Sequence, residues 1–413
     1  MIKILIPNNN IPERKYVIDI IFNEFLGLDY ILNVSSKDYE IILQNKKILT
    51  IKDTFFNKYQ KELEYLKKEN IPKSINDLDI FSASFFMLTR WEEYVNKTRD
   101  THNRFPAYAS LAYKEGFLDR PVVNEFIEKL KNQLLALDNS LVFKEKKFEL
   151  ILTHDVDDIL LFRTYKDLIR RVGGDLIRRK SPFLALKTIW DYIQVRLGKK
   201  NDPYDTFDWL MDISENIGIK SHFFFMAEGK TNYDNRYNSN SQFVKELIKK
   251  IKQRGHNIGI HPTYDAYNDA EQLKKEKDEL EKNLDTKITF GREHYLRFEV
   301  PTTWQIWEDN DMKWDSTCGY ADKAGFRCGT GDEFSVFNIL TRKKLRLKER
   351  PLIVMEISFI SYQNNNSEDI FNNMKILKQK TEKYKSHFVF LWHNSNFYFH
   401  DKNTKLIYEN ILK

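Results

Sequence analysis

From residue 148 to the C-terminus, short apolar runs of strand length alternate with segments whose apolar residues recur at helical spacing. Residues 148–153 are the first run, and 219–226, with Phe223, Phe224 and Phe225, the second. Residues 241–254 then set Phe243, Leu247, Ile248 and Ile251 on one helical face. Further strands are expected at 257–260, 288–290, 353–357 and 388–392, with helices at 270–284, 301–310 and 369–386. Apolar strands joined by helices pair in parallel, because each helical crossover returns the chain to the same end of the sheet. The alternation predicts an α/β domain over 147–413. Its largely parallel sheet, open or closed into a barrel, should carry a site at the C-terminal strand ends.

Residues 1–146 read differently. Strand-like runs at 2–6, 39–43 and 48–51 precede helical stretches at 80–94 and 122–137, a smaller α/β or α+β accessory domain of unassigned function. Phe85, Phe86, Met87, Leu88 and Trp91 are expected to pack against the larger domain. Of 413 residues, 41% are hydrophobic and 14% aromatic, which excludes wholesale disorder. No apolar run reaches the ~18 residues a membrane-spanning helix needs. The 66 basic and 60 acidic residues leave a charge of +6, too mild for a dedicated nucleic-acid binder. Two cysteines, Cys318 and Cys328, exclude a disulfide framework and a cysteine-rich zinc site. The first seven residues lack the apolar length and cleavage site of a signal peptide, so a cytoplasmic location is expected.

One stretch interrupts the alternation. Residues 162–200 hold eleven Lys or Arg against three Asp, interleaved with Leu, Ile and Trp. A solvated amphipathic helical insertion is the plain reading. A peripheral membrane or anionic-glycan contact is the functional one, since basic amphipathic helices bind anionic headgroups.

Chemistry-bearing residues gather at the strand ends. His154, His261 and His393 each close an expected strand. In His154-Asp-Val-Asp-Asp158, three carboxylates follow an apolar strand, and their repulsion calls for a metal or an arginine. Asp155 and Asp157 share a face, so one can bind a metal while the other serves as a base. Asp157 or Asp158 can alternatively cap the next helix. His261 is a candidate ligand, and Asp265, four residues on, reaches the same ion if the segment turns helically. Arg292 follows a strand and can orient Asp155. His294 and Arg297 are candidates for substrate contact or for structure. His393 suits a general acid, with Asp315 holding its other ring nitrogen.

These segments resemble the polysaccharide deacetylases of NodB homology, carbohydrate esterase family four and its relatives. The resemblance implies that Asp155 is the catalytic base and Asp157 a metal ligand, in the branch of the family with Asp-x-Asp spacing. It matches His261 to the first ligand of the second motif, where Asp265 replaces the usual second histidine. It matches Arg292, Asp315 and His393 to the third, fourth and fifth motifs. The likeness is nearer to a bacterial subgroup with an extra N-terminal domain. It is carried by Phe85-Phe-Met-Leu-Thr-Arg-Trp-Glu-Glu93, Asp202-Pro-Tyr-Asp-Thr-Phe-Asp208, His294-Tyr-Leu-Arg-Phe298 and Gly319-Tyr-Ala-Asp322.

What the resemblance implies is a distorted (β/α) barrel for about 147–413. Its activity would be removal of an N-acetyl group from an amino sugar, with a divalent ion, Zn²⁺, as cofactor. His154, Tyr264, His294, Tyr295, Arg297 and Trp392 are the candidates for sugar contact, the aromatic rings by stacking, with core packing the alternative expected for at least half of the aromatic residues. A cytoplasmic enzyme would act on a nucleotide-linked or lipid-linked precursor of a cell-envelope polysaccharide. Two alternatives remain open: hydrolysis of a non-sugar cyclic amide, and a carbohydrate-binding pseudoenzyme, the latter because of Asp265.

Overall fold

The chain builds two sheets in the computed structural model, which describes residues 1–413 except 228, 230, 235, 236 and 399–402. The smaller one starts with β1 (Ile2–Ile6), crosses through α1 (Ile11–Asp19), and pairs β1 in parallel with β2 (Tyr30–Val34). β3 (Tyr39–Ile42) and β4 (Ile48–Ile51) add antiparallel, giving the order β2-β1-β3-β4. The helix expected over 80–94 is two helices, α2 (Ile80–Thr89) and α3 (Trp91–Val95). Arg90 breaks it, at φ 54° in the left-handed region that non-glycine residues seldom adopt. α4 (Leu111–Lys114) and α5 (Val122–Leu137) complete this unit.

The larger sheet begins with β5 (Glu149–Val156), whose last six residues are buried, as a strand covered on both faces must be. A helical excursion follows: α6 (Tyr165–Ile177), α7 (Pro182–Arg196) and α8 (Phe207–Asn216). Then β6 (His222–Phe225), α9 (Gln242–Gln253), β7 (Asn257–Ile260), α10 (Ala270–Leu284), β8 (Phe290–Gly291), α11 (Thr302–Asp309) and β9 (Trp314–Asp315) alternate. The hairpin β10 (Phe334–Asn338) and β11 (Lys343–Glu349), which the alternation did not reveal, comes next. β12 (Val354–Met355), α12 (Ser367–Lys383), β13 (His387–Leu391) and α13 (Thr404–Leu412) close the chain.

The strand order is β10-β11-β9-β8-β7-β6-β5-β13-β12. Every neighbouring pair is parallel except β10 with β11. Among the described residues the ladder is not closed, so β10 and β12 are its edges. No helix of the described residues is long and apolar enough to cross a membrane.

The β10–β11 hairpin is what the N-terminal unit packs on. Phe337 meets Tyr16 at 4.7 Å and Phe85 at 5.7 Å between ring centroids, and the Tyr16 hydroxyl donates to the Ser335 carbonyl at 2.9 Å. Arg342 grips Glu13 through two bonds of 2.8 and 2.9 Å. A second tie lies deeper. Glu93 is buried between Arg327, which bonds both its oxygens, and Arg90, 2.9 Å away, while Arg90 also donates to the Tyr320 hydroxyl at 3.0 Å. Burial works against the Glu93 charge, but the two guanidinium groups outweigh it and hold its carboxyl below the usual value. Glu93→Ala would strand two buried cations. The expected cost is about 3–5 kcal/mol of stability, read from urea denaturation, whereas Lys274→Ala on an exposed helical pair should cost less than about 1 kcal/mol.

Candidate active site

Side-chain alternation along β5 sorts its residues. Thr153 and Asp155 face one side, and His154 the other. On that other side His154 is fully buried against Phe223, and its Nδ1 bonds the Trp392 carbonyl at 2.7 Å. Trp392 is buried there too, stacked on Phe397 at 5.3 Å. Both residues, expected to contact substrate, are therefore core.

Asp155 accepts from Arg292 Nη1 at 2.8 Å. The same nitrogen donates to Thr153 Oγ1, while Nε and Nη2 bond the carbonyl and hydroxyl of Ser316 at 2.8 and 3.0 Å. A buried guanidinium held at four points has one position to offer. Gly291 makes it reachable: a Cβ there would lie 1.9 Å from the Ile260 carbonyl oxygen. Only glycine lets β7 and β8 pass this closely, and the Arg292 carbonyl then accepts from His261 Nδ1 at 2.6 Å. A carbonyl only accepts, so Nδ1 carries the hydrogen and Nε2 is left as the basic nitrogen of the neutral ring.

That Nε2 points at Asp157, 3.3 Å from Oδ1. His294 Nε2 lies 3.8 Å from the same oxygen, and its Nδ1 3.5 Å from Asp234. One ligand atom from each of Asp157, His261 and His294 lies within 4.8 Å of the others, and Asp157 Oδ1 is buried without a hydrogen-bond partner among the described residues. Burial would raise the Asp157 carboxyl, yet His261, His294 and His393 hold it well below the usual range. Burial opposes a proton on His261, but Asp155 and Asp157 overcome it and raise its pKa. His294 is lowered, by burial above all. Two imidazole nitrogens and one carboxylate, each orientable by an outer partner, are a donor set that a divalent ion fits.

His393 approaches Asp157 from the far side, Nε2 to Oδ2 at 3.8 Å. Its Nδ1 bonds Glu356 Oε1 at 2.7 Å, and the same oxygen accepts from the His393 backbone N–H and from Asn396. Burial acts to lower the His393 pKa, but Glu356 foremost, then Asp157 and Asp155, push it up to about 10.

The cleft above these groups has a volume of about 1010 Å³. Asp155, Asp157, His261, His294 and His393 form its floor, and Tyr295 stands on its wall. Arg104 of the N-terminal unit and arginines of α6 also line it.

Other expected site residues lie elsewhere. Asp265 is outside the cluster, with an exposed side chain 2.9 Å from Arg297. Arg297 is buried, stacked on Tyr264 and Tyr267 at 3.9 and 4.1 Å and bonded to the His102 carbonyl, so it braces a loop. Tyr264 stacks on Tyr233 at 4.4 Å and bonds His102 beside the cleft. Asp315 is not the partner of His393. It sits on β9, while His393 follows β13, whose neighbour β12 supplies Glu356 instead. Asp315 bonds Thr317, and burial pushes its carboxyl up to about 6. The roles of Glu356 and Asp234 went unread in the sequence, and His294 was not expected among the ligands. Position just past a strand end was the one available signal, and it held for Glu356 after β12 and His294 after β8.

Residues 2–139 match a family model described as a family of unknown function, DUF7033. No curated protein matches the chain. A crystal structure from Mycobacterium smegmatis, provisionally described as a polysaccharide deacetylase, is similar at 12% identity, covering 65% of this chain and 84% of that one with a TM-score of 0.41. A crystal structure of Puue allantoinase is similar at 11% identity, covering 65% and 83%, with a TM-score of 0.39.

The Glu356–His393 bond has a measurable signature. In the metal-free protein, His393 should stay protonated from its ordinary value near 6.5 up to about 10 in an NMR titration. The raised value adds stability that is complete below 6.5 and lost as the pH climbs through about 10. Glu356→Gln should bring the titration down towards 6.5 or lower, because burial then loses its main opponent.

Proposed function

We propose that the chain is a metal-dependent hydrolase that removes N-acetyl groups from an amino sugar in a polysaccharide or glycan precursor. The observation that carries this reading is the convergence of three separate devices on one cleft floor: Asp155 with Arg292, Asp157 with His261 and His294, and His393 with Glu356. The sequence resemblance to NodB-homology deacetylases agrees with it, and so does a parallel sheet with its polar groups at the C-terminal strand ends. On this reading residues 147–413 are a deacetylase domain of distorted-barrel type, and residues 1–146 an accessory domain. The cleft volume of about 1010 Å³ favours a glycan over a small cyclic amide.

Asp157, His261 and His294 would hold the ion, with Zn²⁺ the best match to one carboxylate and two imidazoles. When bound, it supplies a Lewis acid for the acetyl carbonyl and lowers the pKa of a coordinated water. Asp155 is turned by Arg292 so that Oδ1 is occupied, and Oδ2, 3.8 Å from His261 Nε2, would take a proton from the attacking water. His393 then gives its Nε2 proton to the departing sugar nitrogen as the C–N bond breaks, with Glu356 stabilising the imidazolium until that moment. The products are acetate and the sugar ammonium, which takes its last proton from the hydroxyl left by the attacking water. The proton taken by Asp155 balances the one given by His393.

Metal analysis and acetate release from a panel of N-acetylated sugars test the assignment together. His294→Ala should abolish stoichiometric metal, and Asp265→Ala should leave it unchanged. Asp155→Asn and His393→Ala should keep the metal yet lose about 10²–10⁴-fold in turnover. Full activity in both of the last two variants would refute the proposed roles.

A further inference from the structure

The α6–α7 hairpin has two unlike faces. Its inner face is tied to itself and to the protein: Thr188 donates to Asp175 at 2.7 Å within the hairpin, Arg171 donates to the Tyr204 hydroxyl at 2.8 Å, and the Tyr398 hydroxyl donates to Asp191. The outer face is covered by none of the described residues. Phe183, Leu186, Trp190, Ile193 and Leu197 recur at alternating spacings of three and four, which aligns them on one stripe of the α7 direction. Their exposure is large: Phe183 76%, Leu186 68%, Trp190 62%. Ile169 of α6 is exposed at 65%, and Ile177, exposed at 77%, lines the cleft. A contiguous apolar face of this kind marks a binding surface in a soluble protein.

Charge says what it binds. The eleven cations of 162–200 face three acids, and all three acids are taken up inside the hairpin: Asp167 by Arg163, Asp175 by Arg179, Asp191 by Lys200. Lys166, Arg178, Lys180 and Lys199 have no ion-pair partner among the described residues. The surface is a pair of helices with the aromatic rings of Tyr165 and Trp190 exposed among the cations. Apolar stripe, flanking cations and interfacial aromatics are the features of a helix that lies in a headgroup layer.

We propose that the α6–α7 hairpin docks the protein on a bilayer bearing anionic lipid headgroups. The cleft shares this helix: Arg170, Arg171, Gly173, Gly174 and Arg178 form one of its walls. Docking therefore places the cleft beside the membrane surface. If the hydrolase reading above holds, on which this last step alone rests, the glycan is taken from a lipid-anchored substrate at that surface.

The test uses the full chain and needs no substrate, so its failure is separate from failure of the hydrolase reading. Co-sedimentation is measured with vesicles of phosphatidylcholine alone and with phosphatidylglycerol added. Binding to the anionic vesicles, weakened by salt, is expected. The triple variant Phe183→Ser, Leu186→Ser, Trp190→Ser should weaken it about tenfold or more, with circular dichroism unchanged. Lys166→Glu with Lys180→Glu and Lys199→Glu should do the same through charge. The proposal is overturned if the wild-type chain ignores anionic vesicles, or if both variants bind as it does. It is equally overturned if sedimentation shows a dimer that the triple variant converts to monomer without any vesicle binding, for then a second copy covers the face.

Discussion

Everything at the cleft floor follows from placing carboxylates at the end of a buried strand. Two like charges ~4 Å apart repel by roughly 4 kcal/mol at the effective dielectric of a protein surface. The fold relieves Asp155 and Asp157 by different means. Asp155 receives a fixed guanidinium that cannot leave, because Arg292 is also bonded to Thr153 and Ser316. Asp157 receives imidazoles, whose nitrogens can bind a proton or an ion and release it. The first carboxylate is thereby oriented and the second left open to exchange. That difference allows one side chain to act as a base and the other as a ligand, although they are separated by a single residue.

The contacts also reveal the shape of the sheet. In the strand order, β8 is three places from β5 and four from β13. Three spacings of a flat sheet cover about 14 Å, more than an arginine and an aspartate span together. Yet Arg292 after β8 touches Asp155 on β5 at 2.8 Å. His294 beyond β8 and His393 beyond β13 both stand 3.8 Å from Asp157. The sheet must curl for this to happen, even though its hydrogen-bond ladder has two free edges. Gly259 and Gly291 assist by removing the side chains that would hold β7 and β8 apart.

Much of this is legible in the amino-acid order, and the unread part has physical causes. Strand–helix alternation and the polar residues ending each apolar run foretell a parallel sheet and bring Asp155, Asp157, His261, Arg292 and His393 to one end of it. Strand order is not encoded in that alternation. Without it, Asp315 is the expected partner of His393, and the β12–β13 pairing brings Glu356 there instead. Asp265 seemed close to His261 because it is close in sequence, but the chain carries it outward to Arg297. His294 replaces it from a different strand, at a separation no local motif can express. The β10–β11 hairpin was hidden for another reason: its β11 alternates exposed Lys and Arg with buried residues, as a strand with one face in solvent does, unlike the continuous apolar runs of the parallel strands.

The walls of the cleft come from parts that the floor does not need. Arg104 belongs to the N-terminal unit, and it is fixed by Asp100 at 2.8 Å, the Tyr295 carbonyl at 2.9 Å and the Tyr362 hydroxyl at 2.8 Å. Tyr295 itself sits at φ 61°, an unfavourable conformation for a residue with a side chain, and a surrounding network must hold it there. Arg104 is part of that network, so the N-terminal unit shapes the wall on which Tyr295 stands. The opposite wall is α6, whose Gly173 and Gly174 would lower helix stability by roughly 1 kcal/mol each relative to alanine. A Cβ on Gly173 would meet nothing within 4 Å, so packing does not require glycine there. What the bare backbone provides is room on the cleft side. A rigid floor of strand ends with walls lent by a second unit and an inserted hairpin separates bond-breaking from recognition. Changes of substrate can then arise in the walls without disturbing Asp155, Asp157 or His393.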